Sequence, residues 1–382
     1  MVVESVVYRK PFDDAKFVVS YCDMSIYSGV QDVMQLLKQS KRPLLVGIWG
    51  MTGIGKSTLA KAIYQKIGPF FEKICLLENI SEVYKNIKRD GLISLQRRLL
   101  AGRTDIFSIE SGKDVIKRSF QHKRVLIVLD DVDKLDQLKF LCGSRDWFGA
   151  GSKIIITTRD RRLLKDHGVD HIYNVKELNE SESLALFNWG RYSLPTSTRK
   201  DFGELSKQLV TNSGGLPIAL KQLGFFLNGK EALQWKNVLK SLERLSIPAP
   251  RLQEALEKSI SDLSDEEKRI FLDIACFFVG MNQNDVLQRT QYTTLQISLL
   301  EDKSLITIDE DNKLQMHVML QAMARDIIER ESSQKTDQVR GIISLFLSLY
   351  IVFVCDFEPT FACCITNVCF SWFQNIYNGN RK

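Results

Sequence analysis

Histidine is scarce: the 382 residues hold four, His122, His167, His171 and His317. Only His167 and His171 stand four apart, Gly168 lies between them and no H-E-x-x-H run forms, so that kind of zinc site is excluded. No spacing of Ser, His and Asp, or of Cys and His, marks a nucleophilic triad. The eight cysteines form no C-x-x-C pair, and Cys355, Cys363, Cys364 and Cys369 crowd the C-terminal end. A disulfide scaffold is small and cysteine-dense, so a reducing, cytoplasmic setting is expected. Charge of one sign is also lacking. Fifty-two Lys and Arg against 46 Asp and Glu leave +6, too little and too scattered to argue for nucleic acid. No repeat of fixed period appears, which argues against a solenoid. The N-terminus, with Glu4, Arg9, Lys10, Asp13 and Asp14, holds no apolar run and is not read as a secretory signal. Ile342–Cys355 is uncharged over 14 residues, short of the roughly 20 that a spanning helix needs. It reads as a core or interfacial segment, with a membrane anchor, or a tail outside structural selection, as the competing readings.

What remains is ordinary for a globular chain: 44% hydrophobic and 26% charged residues, with length for two or three domains of about 100–200 residues. The first 40 residues read as a linker segment with a helix at Gln31–Leu37. Strand-type apolar runs follow at Leu44–Trp49, Ile74–Leu77, Val125–Leu129 and Ile154–Thr157, and helical stretches separate them, Leu59–Ile67 and Leu92–Leu100 among these. Alternation of this kind predicts a parallel sheet covered on both faces. From about Ser181 helical periodicity dominates. A helix over Glu266–Phe278, further helices, and two β-like pieces at Leu305–Ile308 and Leu314–Met316 then suggest a winged helix. The expected organisation is an α/β P-loop NTPase domain with parallel sheet (41–180), a helical domain (181–263), a winged-helix domain (264–332) and an atypical apolar tail (333–382).

Gly50-Met51-Thr52-Gly53-Ile54-Gly55-Lys56-Ser57 fits G-x-x-x-x-G-K-[ST], between an apolar strand and a helix. Its glycines let the backbone fold back so that successive N–H groups face phosphate oxygens. The helix start adds unpaired amides and the positive end of a dipole. Lys56 then reaches a β- or γ-phosphate, and Ser57 can ligate Mg²⁺. Val125–Asp131 is a buried strand ending in two carboxylates, expected beside the phosphate loop. Asp130 is the candidate for Mg²⁺ and Asp131 for orienting or activating water. Arg159 ends the run Ile154–Arg159, either to sense a γ-phosphate or merely to cap a surface turn.

Together these pieces resemble the NB-ARC module of plant intracellular immune receptors, from about Gly47 to Ile328. The motifs are GIWGMTGIGKSTLA at Gly47–Ala60, LIVLDDVD at Leu126–Asp133, GSKIIITTR at Gly151–Arg159, GLPIAL at Gly215–Leu220 and FLDIACFFV at Phe271–Val279. Asp133 and the last motif are similar to the branch that carries a TIR domain. The resemblance implies that Gly53, Gly55, Lys56, Ser57 and Thr58, with Gly50 and Ile54 of the same loop, hold the phosphates. It assigns metal and water to Asp130 and Asp131 and sensing to Arg159. It also places Pro217 beneath the adenine and His317 against the β-phosphate of ADP. Taken alone, Pro217 could equally be a kink at a helix start and His317 a satisfied half-buried histidine.

Two departures stand out. Where the family reads Met-His-Asp this chain has Met316-His317-Val318. Valine cannot hydrogen-bond the neighbouring backbone or orient the histidine, so a less secure ADP-held state is expected. No TIR segment and no leucine-rich repeats are recognisable, so no NAD cleavage is expected; a shortened family member, or a gene reading that runs into an intron, is. The resemblance implies an ADP/ATP switch with Mg²⁺, at most slow hydrolysis, an oligomer in the ATP state, and protein partners in immune signalling, full-length receptors of the family included. A P-loop motor and a nucleotide-bound adaptor or decoy are the competing readings. DNA binding is not expected, because Leu305–His317 offers one basic residue, Lys313.

Overall fold

The computed structural model describes residues 27–38, 41–87, 89–102, 106–189, 199–247 and 249–333. The expectations for the first 26 residues and for the apolar tail with its cysteines lie outside the described residues. Two compact units are present. One runs to Lys240 and adds Ala249–Ser259 and Asp302–Leu305; the other comprises Ser241–Pro248, Ile260–Glu301 and the chain from Ile306.

The first unit is built on five strands: β1 (Leu44–Trp49), β2 (Lys73–Leu77), β3 (Val125–Val132), β4 (Lys153–Thr158) and β5 (His171–Asn174). All pairings are parallel, in the order β2-β3-β4-β1-β5. Alternate residues serve opposite faces. Leu126 and Val128 of β3 pack with Val46 and Ile48 of β1 on one side, while Val125, Ile127 and Leu129 pack with Leu45 on the other. Both faces are apolar, which is why these strands read as unbroken hydrophobic runs.

Helices α1 (Tyr27–Lys38) and α2 (Lys56–Ile67) cover the first face through Val30, Val33 and Leu37 and through Leu59, Ala60, Ile63 and Ile67. Residues 27–38, expected within a linker, therefore contribute core. The recurrence of Leu59, Ile63 and Ile67 every four residues aligns them on one stripe of α2. Emptying the Ile63 position, which is fully buried, to alanine is worth about 2–5 kcal/mol. Gly68-Pro69 ends α2 as expected, since proline has no N–H to continue it. The other face carries α3 (Ile80–Ile87), α4 (Arg89–Leu99), α5 (Ile109–Phe120) and α6 (Leu135–Leu141), and α7 (Arg161–His167) precedes β5.

Helices α8 (Glu180–Trp189), α9 (Arg199–Asn212), α10 (Pro217–Leu227), α11 (Ala232–Glu243) and α12 (Pro250–Glu257) follow. Trp235 is their buried anchor, edge-on to Phe187 at 5.7 Å and to Phe202 at 4.9 Å.

In the second unit α13 (Asp265–Asp273) starts on a capping box, Ser264 and Glu267 each satisfying the other's backbone amide. The helix expected to run to Phe278 changes at Asp273 into a π-helical turn, Ile274–Phe278. Asp273 accepts a hydrogen bond from the Tyr292 hydroxyl, and burial pushes its carboxyl up to about 6. After α14 (Gln283–Arg289) and α15 (Thr294–Asp302), β6 (Thr307–Ile308) and β7 (Leu314–Gln315) pair antiparallel, and α16 (Val318–Ser333) closes the order expected of a winged helix. Among the described residues no helix is long and apolar enough to cross a membrane.

Candidate nucleotide site

The loop between β1 and α2 has the backbone that its glycines require. Gly53 sits at φ +80, and a Cβ there would fall 2.3 Å from Ile218 Cγ2. Gly55, at φ +104, is the N-cap of α2, supplies no side-chain cap, and would place a Cβ in open space. The first amides of α2 have no intrahelical partner, and Gly55 and Thr58 line a cavity. Nearby, Thr52 Oγ1 is buried without a hydrogen-bond partner. Bare amides and an orphaned hydroxyl fit an oxyanion at this position.

Lys56 is buried, and its ammonium donates to the carbonyls of Gly50 and Met51, both at 2.8 Å. Burial, then the positive Arg159, pull its pKa down to about 7, against the opposing pull of Asp131 and Asp130. All three charges therefore act on the lysine. The carboxylates do not lie on the strand adjoining the loop, however. β4 is inserted between β1 and β3, so Arg159 follows the neighbouring strand and Asp130 lies one strand farther.

Buried Asp130 accepts from Thr157 Oγ1 at 2.7 Å, and that hydroxyl in turn takes the Asp131 amide at 2.9 Å. Asp131 departs from strand geometry at φ +58, where the β3–β4 register shifts between Leu129 and Val132. Strained backbone of this kind persists where neighbours over-determine it. Here they are Thr157, Ser81, whose hydroxyl donates to Asp131 Oδ2, and Arg159, whose Nε lies 3.7 Å from Oδ1. The Arg159 Nη1 also donates to the Lys258 carbonyl at 3.0 Å, so the guanidinium is held between that carbonyl and Asp131.

From Gly55, Ile54 and Thr58 a cleft of about 580 Å³ extends to Pro217, walled by Leu59, Ile172, Tyr173 and Val175. Pro217 opens α10, and the Ile218 amide donates to the Gly53 carbonyl at 3.2 Å. Pro217 is a helix-start proline, and it lines the same cleft as the phosphate loop. Gly50–Thr58, Asp130, Asp131, Arg159 and Pro217 thus assemble within the first unit. His317 belongs to the second, where its Nδ1 accepts the Met319 amide at 3.1 Å at the start of α16. The ring thus has a backbone partner one residue beyond Val318.

Sequence reading missed Thr157, Ser81 and the cleft wall supplied by β5. Thr157 lies within the run that ends at Arg159, with nothing local to mark it from its neighbours; Ser81 carries no local signal.

A profile of the NB-ARC domain matches residues 27–191, and one described as "Disease resistance protein Roq1-like, winged-helix domain" matches residues 264–333. Residues 27–191 are thus an NB-ARC domain and residues 264–333 a Roq1-like winged-helix domain, and the relatives that match the chain are plant disease resistance proteins. Disease resistance protein RUN1 of Vitis rotundifolia is 37% identical over 321 residues, which are 81% of this chain and 23% of that protein. Disease resistance protein RRS1 of Arabidopsis thaliana is 38% identical over 327 residues, 81% of this chain and 22% of that one. Disease resistance protein RPV1 of Vitis rotundifolia is 38% identical over 308 residues, 78% and 21% respectively. The chain spans between a fifth and a quarter of the length of these NB-ARC relatives.

Proposed function

We propose that this NB-ARC chain is an ADP/ATP-dependent switch acting in plant defence signalling. One observation carries the reading: a single cleft joins the bare helix start at Gly55 and Thr58 to Pro217, offering amides to phosphates at one end and an apolar wall to a base at the other. Lys56 would leave the carbonyls of Gly50 and Met51 to meet a phosphate, and Arg159 would report the γ-phosphate. Ser57 and Asp130 suit Mg²⁺, which takes few protein ligands and completes its shell with phosphate oxygens and water; when bound it would screen the phosphate charge. Asp131 would orient water, but its carboxylate already faces Ser81 and Arg159, which favours slow hydrolysis as a reset over rapid turnover. His317 would serve the β-phosphate of ADP, the role that the likeness to the family gives it. ATP would then favour a second arrangement, open to oligomerisation with receptors of the same family, only by as much as it prefers that arrangement over the ADP-bound one.

A turnover assay on the full chain with Mg²⁺ tests this against the motor. The switch predicts well under one ATP hydrolysed per second, with ADP retained. Several per second would favour a motor. Partner binding unchanged in Lys56→Arg would favour an adaptor that uses nucleotide for structure alone.

A further inference from the structure

The phosphate site has a support outside every motif named above. Asp302, at the end of α15, packs within the first unit, and its side chain is 11% exposed. Its Oδ1 accepts Arg161 Nε at 2.7 Å and Lys165 Nζ at 3.3 Å. Its main-chain carbonyl accepts the Trp49 indole N–H at 3.0 Å, and the same N–H reaches the Arg159 carbonyl at 3.2 Å. Arg161 also stacks on the Trp49 ring at 4.8 Å. Two residues on, Ser304 Oγ donates to that Arg159 carbonyl at 3.3 Å, from a backbone held at φ +57.

Trp49 is the last residue of β1, next to Gly50, whose carbonyl holds the Lys56 ammonium. Arg159 carries the guanidinium that faces Asp131 and lowers the Lys56 pKa. One short segment therefore grips the root of the phosphate loop and the backbone of the candidate sensor together. A surface staple would do neither. The carboxylate is sunk between two cations, and removing it would take a counter-ion from Arg161 and Lys165 beside the indole.

We propose that Asp302 is a positioning residue: its carboxylate holds Arg161 on the ring of Trp49, whose N–H grips the Arg159 carbonyl, and in this way it aims the Arg159 guanidinium and sets how strongly the site prefers a triphosphate over a diphosphate. The inference rests on the nucleotide reading above and adds to it a residue that touches no ligand. A residue that only stabilised the fold would weaken both nucleotides alike; one that aims Arg159 must change their ratio.

The test measures the affinity of the full chain for ADP and for a non-hydrolysable ATP analogue, in wild type, Asp302→Ala, Arg159→Ala and the double variant. Asp302→Ala is expected to lower the triphosphate-to-diphosphate preference at least about threefold, and to lower it no further once Arg159 is alanine, as coupled sites require. Ser304→Ala, a milder change on the same carbonyl, gives the same sign at smaller size and serves if Asp302→Ala does not fold. An unchanged ratio in both, or an equal effect with and without Arg159, overturns the proposal while leaving nucleotide binding intact. Failure of wild type to bind either nucleotide overturns the nucleotide reading and this inference with it.

Discussion

Two helix starts carry the candidate ligand groups, and they are built in opposite ways. At α2 the N-cap is Gly55, with no side chain to offer, and the first amides have no intrahelical partner beside the cavity that Gly55 and Thr58 line. At α16 the residue before the helix is His317, whose ring nitrogen takes the Met319 amide and whose carbonyl takes those of Leu320 and Gln321. The same shortage of intrahelical partners exists at both. One is left for an anion to fill; the other is filled by the chain itself. At α2 glycine is what withholds the cap and leaves the amides for an anion; at α16 any ligand contact must come from the His317 side chain and not from the helix amides.

The largest separation between the two starts comes from Lys56→Met. Losing a buried, hydrogen-bonded charge at an anion site costs about 2–5 kcal/mol of binding, so nucleotide affinity should fall at least about 30-fold. Titration with a fluorescent ADP analogue checks this, and unchanged circular dichroism excludes unfolding. Gly53→Ala comes next. Strain at positive φ and a Cβ 2.3 Å from Ile218 together should destabilise by about 2–4 kcal/mol, against about 1–2 for Gly55→Ala, where only backbone strain operates. Urea denaturation ranks the two, and equal losses would mean that Ile218 gives way.

How much of this was legible in the chain depended on whether the cause was local. Leu44–Trp49 reads as a strand to the residue because both its faces are buried, and the loop spells its own backbone in glycine. β5 was not legible: His171–Asn174 alternates half-buried and exposed on four residues at the sheet edge, too short and too polar to stand out. Nothing local to Asp131 announces its left-handed backbone, which follows from contacts with Thr157, Ser81 and Arg159 far along the chain. The order that inserts β4 between β1 and β3 is likewise a long-range fact. Asp302 lay beyond reach altogether, since its partners Arg161 and Lys165 are more than 130 residues away.

A smaller effect comes from pH. The folded pKa of Lys56, about 7, lies below the ordinary 10.5, so burying its charge costs stability below pH 7, and the cost fades as pH rises toward 10.5. A bound phosphate favours the ammonium and raises that pKa. Nucleotide binding should therefore take up a proton above pH 7, and affinity should fall there by up to about tenfold per unit. Calorimetry in buffers of different ionisation enthalpy reads the proton directly. Lys56→Arg, which does not titrate in this range, should abolish the uptake whatever its affinity. The smallest effect belongs to the closed start: His317→Ala removes a cap worth about 0.5–2 kcal/mol of stability, and His317→Asn, itself a good cap, should restore most of it. If thermal denaturation finds alanine and asparagine equal, the Met319 amide is not what His317 serves.

The most direct measurement is to release whatever the purified chain carries by brief heating and identify it by chromatography. Near-equimolar adenine nucleotide, chiefly ADP, in wild type and little in Lys56→Met is the predicted result. A wild-type protein that comes up empty, and takes up neither ADP nor ATP when mixed with them in magnesium buffer, would contradict the account.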